Sequence, residues 1–269
     1  MKIKRMKSVL ITGGSSGIGE AFAVKLASGG HNILLIARSA DKLKSVCDRL
    51  MGTFNIDAQF IAADLTRKGS DLVIYEETVK RGIEVEWLIN NAGIGSGGDF
   101  IEDELPGITE MMYLNMTAMV SLTHRFLPQM RERRSGKIIN TGSMAGFGPI
   151  PYMCVYAASK NFVAAFTEAL AEENDRFGVQ VVLLCPGATE TNFFDAAGIG
   201  PERKTSFAPK HLETPEQVVT AAMSGIKKEE KVIISGFRNR IMRRLMYLIP
   251  NSLGLALYGT QMRRKLNYE

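Results

Sequence analysis

Cysteine and histidine are both scarce, three of each in 269 residues, and neither set clusters. Cys47, Cys154 and Cys185 lie far apart, which argues against a disulfide framework or a thiolate metal site and for a reducing compartment. His31, His124 and His211 are equally scattered, and no metal is expected. Long apolar runs are missing too: none reaches the roughly 18–20 residues that a spanning helix needs. Met1 to Lys7 is basic, but the apolar run behind it, Ser8 to Ile11, is too short for a signal core. The expected location is cytoplasmic. Acid is scarce at one end: residues 227–269 carry ten Lys or Arg against three Glu, a net +7 that leaves the remainder at −2 under a formal total of +5. A basic tail rather than a basic domain sets the charge. No platform of interleaved aromatic and basic residues occurs in the body, so no nucleic acid is expected as a partner.

Glycine, by contrast, is plentiful at 26 residues, and its most informative run is Thr12-Gly13-Gly14-Ser15-Ser16-Gly17-Ile18-Gly19. A strand-like stretch, Ser8 to Ile11, precedes it, and a helix-like one, Glu20 to Ser28, follows. A strand that breaks into glycines and restarts as a helix is how a dinucleotide pyrophosphate is held: the turn is tight, the backbone approaches the phosphates, and the unclaimed N–H groups of the first helical turn face the anion. The spacing is Gly-x-x-x-Gly-x-Gly rather than Gly-x-Gly-x-x-Gly.

Strand and helix patterns alternate from there. Strands are expected at Ile33–Ala37, Ala58–Ala62, Val85–Asn90, Lys137–Asn140, Val179–Leu184 and Lys231–Ser235. Helices are expected from about Ala40 to Met51 with Ser39 as cap, Asp71 to Lys80, Ile108 to Met130, Val155 to Asp175, and Pro215 to Lys227 capped by Thr214. Short strands apolar on both faces and joined through helices predict an α/β fold: one doubly wound Rossmann-type domain, a mostly parallel seven-stranded sheet with helices on both faces. That domain spans residues 1–236, and residues 237–269 form a basic amphipathic helical extension. Ligands of such sheets sit beyond the carboxyl ends of the strands, where the glycine turn, Arg38, Asp64, Asn90 to Gly93, Ser143 and Pro186-Gly187 all fall.

Tyr156-Ala157-Ala158-Ser159-Lys160 sets a phenol and an amine four apart, on one face of an expected helix. A phenol is a poor acid or base near neutrality unless its anion is favoured, as a nearby ammonium would do. Ser143 precedes them and could hold a substrate oxygen. Together with Thr12 to Gly19, Asp64, Asn90-Asn91-Ala92-Gly93, Asn115, Pro186-Gly187 and Thr191, this order and spacing resembles the short-chain dehydrogenase/reductase family over roughly Lys7 to Ser235. The likeness is greatest to 3-oxoacyl reductases and to 17β-hydroxysteroid or long-chain 3-ketoacyl dehydrogenases.

The resemblance implies that Tyr156 is the general acid in carbonyl reduction and the base in alcohol oxidation. By the same resemblance Lys160 lowers its pKa and binds the nicotinamide ribose, Ser143 orients the substrate oxygen, and Asn115 helps hold a water that relays protons to Lys160. It implies coenzyme contacts at Gly13, Ser15, Ser16, Gly17, Ile18 and Gly19, at Arg38, Asp64 and Leu65, at Asn91, Ala92 and Gly93, at Tyr156 and Lys160, and at Pro186, Gly187, Thr189 and Thr191. It also implies a homodimer or homotetramer. Where NAD sites place an acidic side chain after the second strand, this chain has Ala37-Arg38-Ser39, so nothing there repels a 2′-phosphate and NADP(H) is expected.

Apolar residues Phe147, Ile150, Met153, Ile94, Phe193, Phe194, Ile199 and Phe207 predict a greasy substrate pocket, suited to a long acyl chain, a steroid-like body or another lipophilic ketone. The stretch after Thr191 resembles the family's substrate lid. In the tail, Ile241, Met242, Leu245, Met246, Leu248 and Ile249 alternate with arginines up to Pro250, and Leu253, Leu255, Leu257 and Tyr258 continue beyond it. A membrane surface, a subunit interface and a roof over the pocket all suit that composition. Two other functions compete: a non-catalytic dinucleotide-binding sensor or scaffold, and a sugar-nucleotide epimerase. Retention of Ser143, Tyr156 and Lys160 counts against the first, and the glycine spacing against the second.

Overall fold

A computed structural model describes residues 6–191, 193, 212–246 and 251–266. Of the residues singled out above, His211, Phe194, Ile199, Phe207, Leu248, Ile249, Pro250 and the Leu253 side chain lie outside that set. Seven parallel strands make one sheet: β1 Met6–Thr12, β2 Asn32–Ala37, β3 Ala58–Ala62, β4 Ile83–Asn90, β5 Gly136–Thr141, β6 Val179–Cys185 and β7 Val232–Ile234, in the order β3-β2-β1-β4-β5-β6-β7. The order reverses between β1 and β4, the place where α/β sheets open a crevice for ligands.

Alternation along β1 shows why these runs become buried strands. Val9 and Ile11 join one apolar layer with Phe22, Leu26, Leu43 and Val218, whereas Leu10 joins the other with Ile74, Leu122 and Phe126. The helices α1 Gly17–Ala27, α2 Ala40–Thr53 and α7 Pro215–Lys227 therefore cover one face, and α3 Ser70–Lys80 and α5 Met119–Glu132 the other. Two helix starts form as their residues dictate. The Ser39 hydroxyl accepts the Lys42 N–H to cap α2, and Thr214 and Gln217 make a reciprocal capping box on α7, with Pro215 leading the first turn.

Two elements differ from expectation by more than two residues. Helix α1 begins at Gly17, three residues early, so the end of the glycine turn is also the first turn of the helix. The single helix expected from Ile108 to Met130 is α4 Leu105–Met112, a π-helical stretch Tyr113–Ala118, then α5. After β5 comes a short 3-10 turn Met144–Phe147 and the long helix α6 Cys154–Asp175. Two helices follow β7: α8 Phe237–Met246 and α9 Asn251–Lys265. Among the described residues no helix is long and apolar enough to cross a membrane.

Candidate active site

At the carboxyl end of β1 the chain turns with positive φ at Gly13 (66°) and Gly17 (57°), a conformation that side-chain-bearing residues rarely adopt. A Cβ at Gly19 would collide with the Gly13 carbonyl oxygen, so helix and turn close up only with glycine there. Thr12 ties this turn to β4. Its hydroxyl accepts the Asn91 and Ala92 N–H groups at 2.9 and 3.0 Å, and the Asn91 side-chain amide donates back to the Thr12 carbonyl at 3.1 Å. Arg38 stands exposed past the end of β2. Asp64, past β3, is partly buried, which disfavours its charge. The Thr66 amide and hydroxyl, with Arg38 and Arg67, outweigh that and hold the carboxyl below its ordinary value.

At the other end, α6 carries Tyr156 and Lys160 inward, 7% and 5% exposed. Ser143 caps the 3-10 turn by accepting the Ala145 N–H at 3.1 Å, and its hydroxyl acts on the Tyr156 phenol to favour the phenolate. Burial pushes that phenol up to about 12, against the smaller downward pull of Ser143. The same burial pushes Lys160 down to about 8. The expected lowering of the tyrosine by the lysine is thus overridden by desolvation as the groups stand here. Lys160 Nζ donates to the Thr141 carbonyl at 2.8 Å and lies 5.9 Å from the phenol ring centre. Asn115, on the π-helical stretch, accepts the Ile94 N–H at 3.0 Å and donates to the Ile94 carbonyl and to Ser159 Oγ, pinning the chain after β4 to α6. Apolar side chains surround the phenol: Met111, Ala145, Ile94, Ile150 and Met153, with the Phe193 ring 5.3 Å away and fitted over Gly95.

One cavity of about 600 Å³ joins the two ends. It is bordered by Gly13, Ser15, Ser16, Gly17, Ile18, Arg38, Asp64, Leu65, Asn91, Ala92, Gly93, Ser143, Tyr156, Lys160, Pro186, Gly187, Thr189 and Thr191. Of the site residues expected from sequence, Gly19 and Asn115 stand behind its wall, Gly19 against the Gly13 carbonyl and Asn115 against Gly93. Among the bordering residues not singled out as site residues are Lys42 and Tyr258. Lys42 lies one turn into α2 beside Arg38, and a cation that close behind the second strand was a readable signal. Tyr258, on α9, reaches the cavity from the far end of the sequence, and burial pushes its phenol up as well.

The tail helices pack on the site. The Arg243 guanidinium covers the Phe147 ring at 3.9 Å, Met246 sits over Gly148, and the Asn239 amide donates to Glu213 and lies against Gly187. Among the described tail residues, Tyr258 of α9 borders the cavity, while one face of α8 packs beside it on Phe147, Gly148 and Gly187.

A family model described as short chain dehydrogenase matches residues 7–200. The chain belongs to that family. Among curated short-chain dehydrogenases it is similar to the very-long-chain 3-oxoacyl-CoA reductase of Rattus norvegicus, 34% identical over 209 residues, which is 76% of this chain and 64% of that reductase. The chain therefore spans slightly less than two-thirds of that relative's length. Among solved structures it is similar to a short-chain dehydrogenase from Sphingobium yanoikuyae in complex with NADPH (TM-score 0.79, 31% identity, 91% of this chain and 96% of the other). It is also similar to the bulky-bulky ketone specific alcohol dehydrogenase from Comamonas testosteroni (TM-score 0.75, 29% identity, 90% and 94%).

Proposed function

We propose that this short-chain dehydrogenase is an NADP(H)-dependent oxidoreductase that interconverts a lipophilic ketone, 3-oxoacyl or steroid-like, and its secondary alcohol. The observation that carries the reading is a single cavity with two chemically different ends: a glycine turn beside Arg38 and Lys42 at one, Ser143, Tyr156 and Lys160 inside an apolar ring at the other. The turn fits a dinucleotide, because a Cβ at Gly19 would close it and Gly13 needs the left-handed conformation. The bound coenzyme supplies or accepts the hydride.

The chain's own residues do the rest. Turn amides from Ser15 to Ile18 hold the pyrophosphate, and Arg38 and Lys42 meet a 2′-phosphate. Asp64 and Leu65 border the adenine, Asn91 to Gly93 the adenosine side, and Pro186 to Thr191 the nicotinamide amide. Ser143 donates to the substrate oxygen, Tyr156 gives that oxygen its proton in reduction and recovers it in oxidation, and the Lys160 ammonium favours the phenolate and holds the ribose. Asn115 positions the chain after β4 against α6 through Ile94 and Ser159. The relatives from rat and Comamonas, named for a long 3-oxoacyl chain and for bulky ketones, support a lipophilic substrate. A homodimer or homotetramer belongs to the same reading, supported by the stacked Phe162 and Phe166 rings on α6, where Phe162 is 42% exposed.

Titration of the purified protein with NADPH and with NADH tests the core of the proposal without a substrate. Tight NADPH and weak NADH binding is expected. Arg38→Asp should lose NADPH affinity by roughly 10- to 100-fold, the worth of a charge-assisted contact, and gain relative preference for NADH. Binding of neither coenzyme by folded protein overturns the assignment.

A further inference from the structure

One face of α8 has no counterpart in the site. At about 100° per residue, Asn239, Arg243 and Met246 share the side that packs on Glu213, Phe147 and Gly148. The opposite side carries Phe237, Ile241 and Leu245, exposed by 70%, 42% and 49%, and Met242, 57% exposed, lies between the two sides. Arg238, Arg240 and Arg244, also exposed, flank that stripe. No acidic residue occurs in α8 or in α9. A solvated surface helix carries mixed charge and few large apolar side chains, so this composition calls for an occupant that is both anionic and apolar.

We propose that the outer face of α8 docks on an anionic lipid surface, lying in the plane of the interface. The apolar stripe enters the headgroup boundary while the arginines, on long stems, reach the lipid phosphates. Charge complementarity selects this occupant over a second copy of the same face, because a symmetric pairing of two α8 helices sets Arg238, Arg240 and Arg244 against the same arginines with no acid to offset them. The docked helix also adjoins the pocket: its inner face rests on Phe147 and Gly148, between the cavity residues Met144 and Ala145 and the cavity residue Ile150. Leu257, beside the cavity residue Tyr258, is 64% exposed. Docking therefore brings the lipid surface beside the substrate half of the cavity. The inference deepens the lipophilic-ketone reading and rests on it only for the route by which substrate arrives.

Vesicle flotation of the full chain is the test. With phosphatidylglycerol–phosphatidylcholine vesicles at low salt the protein should float, and with phosphatidylcholine alone it should stay behind. Raising salt to roughly 0.5 M should release part of the bound protein by screening. Ile241→Ser/Leu245→Ser and Arg240→Ser/Arg244→Ser each change only exposed side chains, and each should lower vesicle affinity at least about tenfold. NADPH titration and sedimentation of the same samples complete the measurement. Failure of the parent chain to float with anionic vesicles overturns the proposal, as does equal flotation of both variants. A drop in assembly mass without loss of flotation assigns the face to a second copy instead. Flotation by protein that binds no NADPH leaves the docking standing and sinks the coenzyme reading.

Discussion

Tyr156 and Lys160 lie one turn apart on α6, yet burial acts on them with opposite sign, because it opposes charge and the two groups are charged in opposite protonation states. Below about pH 8 Lys160 is an ammonium and Tyr156 a neutral phenol, the states that ketone reduction uses. Raising the pH through about 8 removes the lysine proton first, so the reduction rate should hold on the acid side and fall across that value, as a pH–rate profile would show. Between about 8 and the ordinary 10.5 the unfolded chain binds the lysine proton and the folded chain does not, so this residue makes stability rise with pH over that window. Tyr156→Phe should cost roughly 10²- to 10⁴-fold in turnover and leave NADPH binding nearly intact, as parallel kinetics and titration would record. The four-residue spacing of this pair was legible in the chain because helix geometry sets it. The direction of the phenol's shift was not, because it depends on how much of α6 ends up under Phe193 and Ile150, which spacing does not encode.

Elements hold these groups in place, and one hydroxyl joins two of them. Thr12→Val would leave the Ala92 N–H group without its acceptor and would take one of two from the Asn91 N–H, which also donates to the Ile89 carbonyl. A loss of about 1–3 kcal/mol is expected, read as a lower urea midpoint, together with weaker NADPH binding. The α/β alternation, the cap at Ser39 and the box at Thr214 were readable because apolar period and capping chemistry are local. The π-helical stretch was not. Ile108, Met111, Asn115, Ala118 and Leu122 keep a regular 3–4 spacing, so a widened turn leaves no mark on the pattern. Tyr258 escaped for the opposite reason: its contact with the cavity crosses the whole sheet in sequence, and no spacing rule spans that distance. Tyr258→Ala should raise KM for a lipophilic ketone several-fold, about the worth of one buried ring face, while NADPH affinity stays as it was. Steady-state kinetics beside a coenzyme titration separates the two effects.

The seven strands form one sheet with a continuous apolar layer on each face, so coenzyme binding at its switch point stabilises the whole unit. NADPH at 100 times its dissociation constant should add about 2.7 kcal/mol and raise Tm by roughly 5–10 °C for a chain of this size. NADH at the same concentration should do less, as a thermal melt would show. Chain order adds a consequence for how the enzyme comes into being. Among the described residues, every strand, and every cavity residue except Tyr258, precedes α8. A nascent chain leaving the ribosome thus forms its coenzyme groove before it owns a ceiling over the substrate half. On the proposed function, α9 is added to a cavity whose coenzyme half is already formed, so Tyr258→Ala should alter ketone selectivity and leave NADPH binding in place.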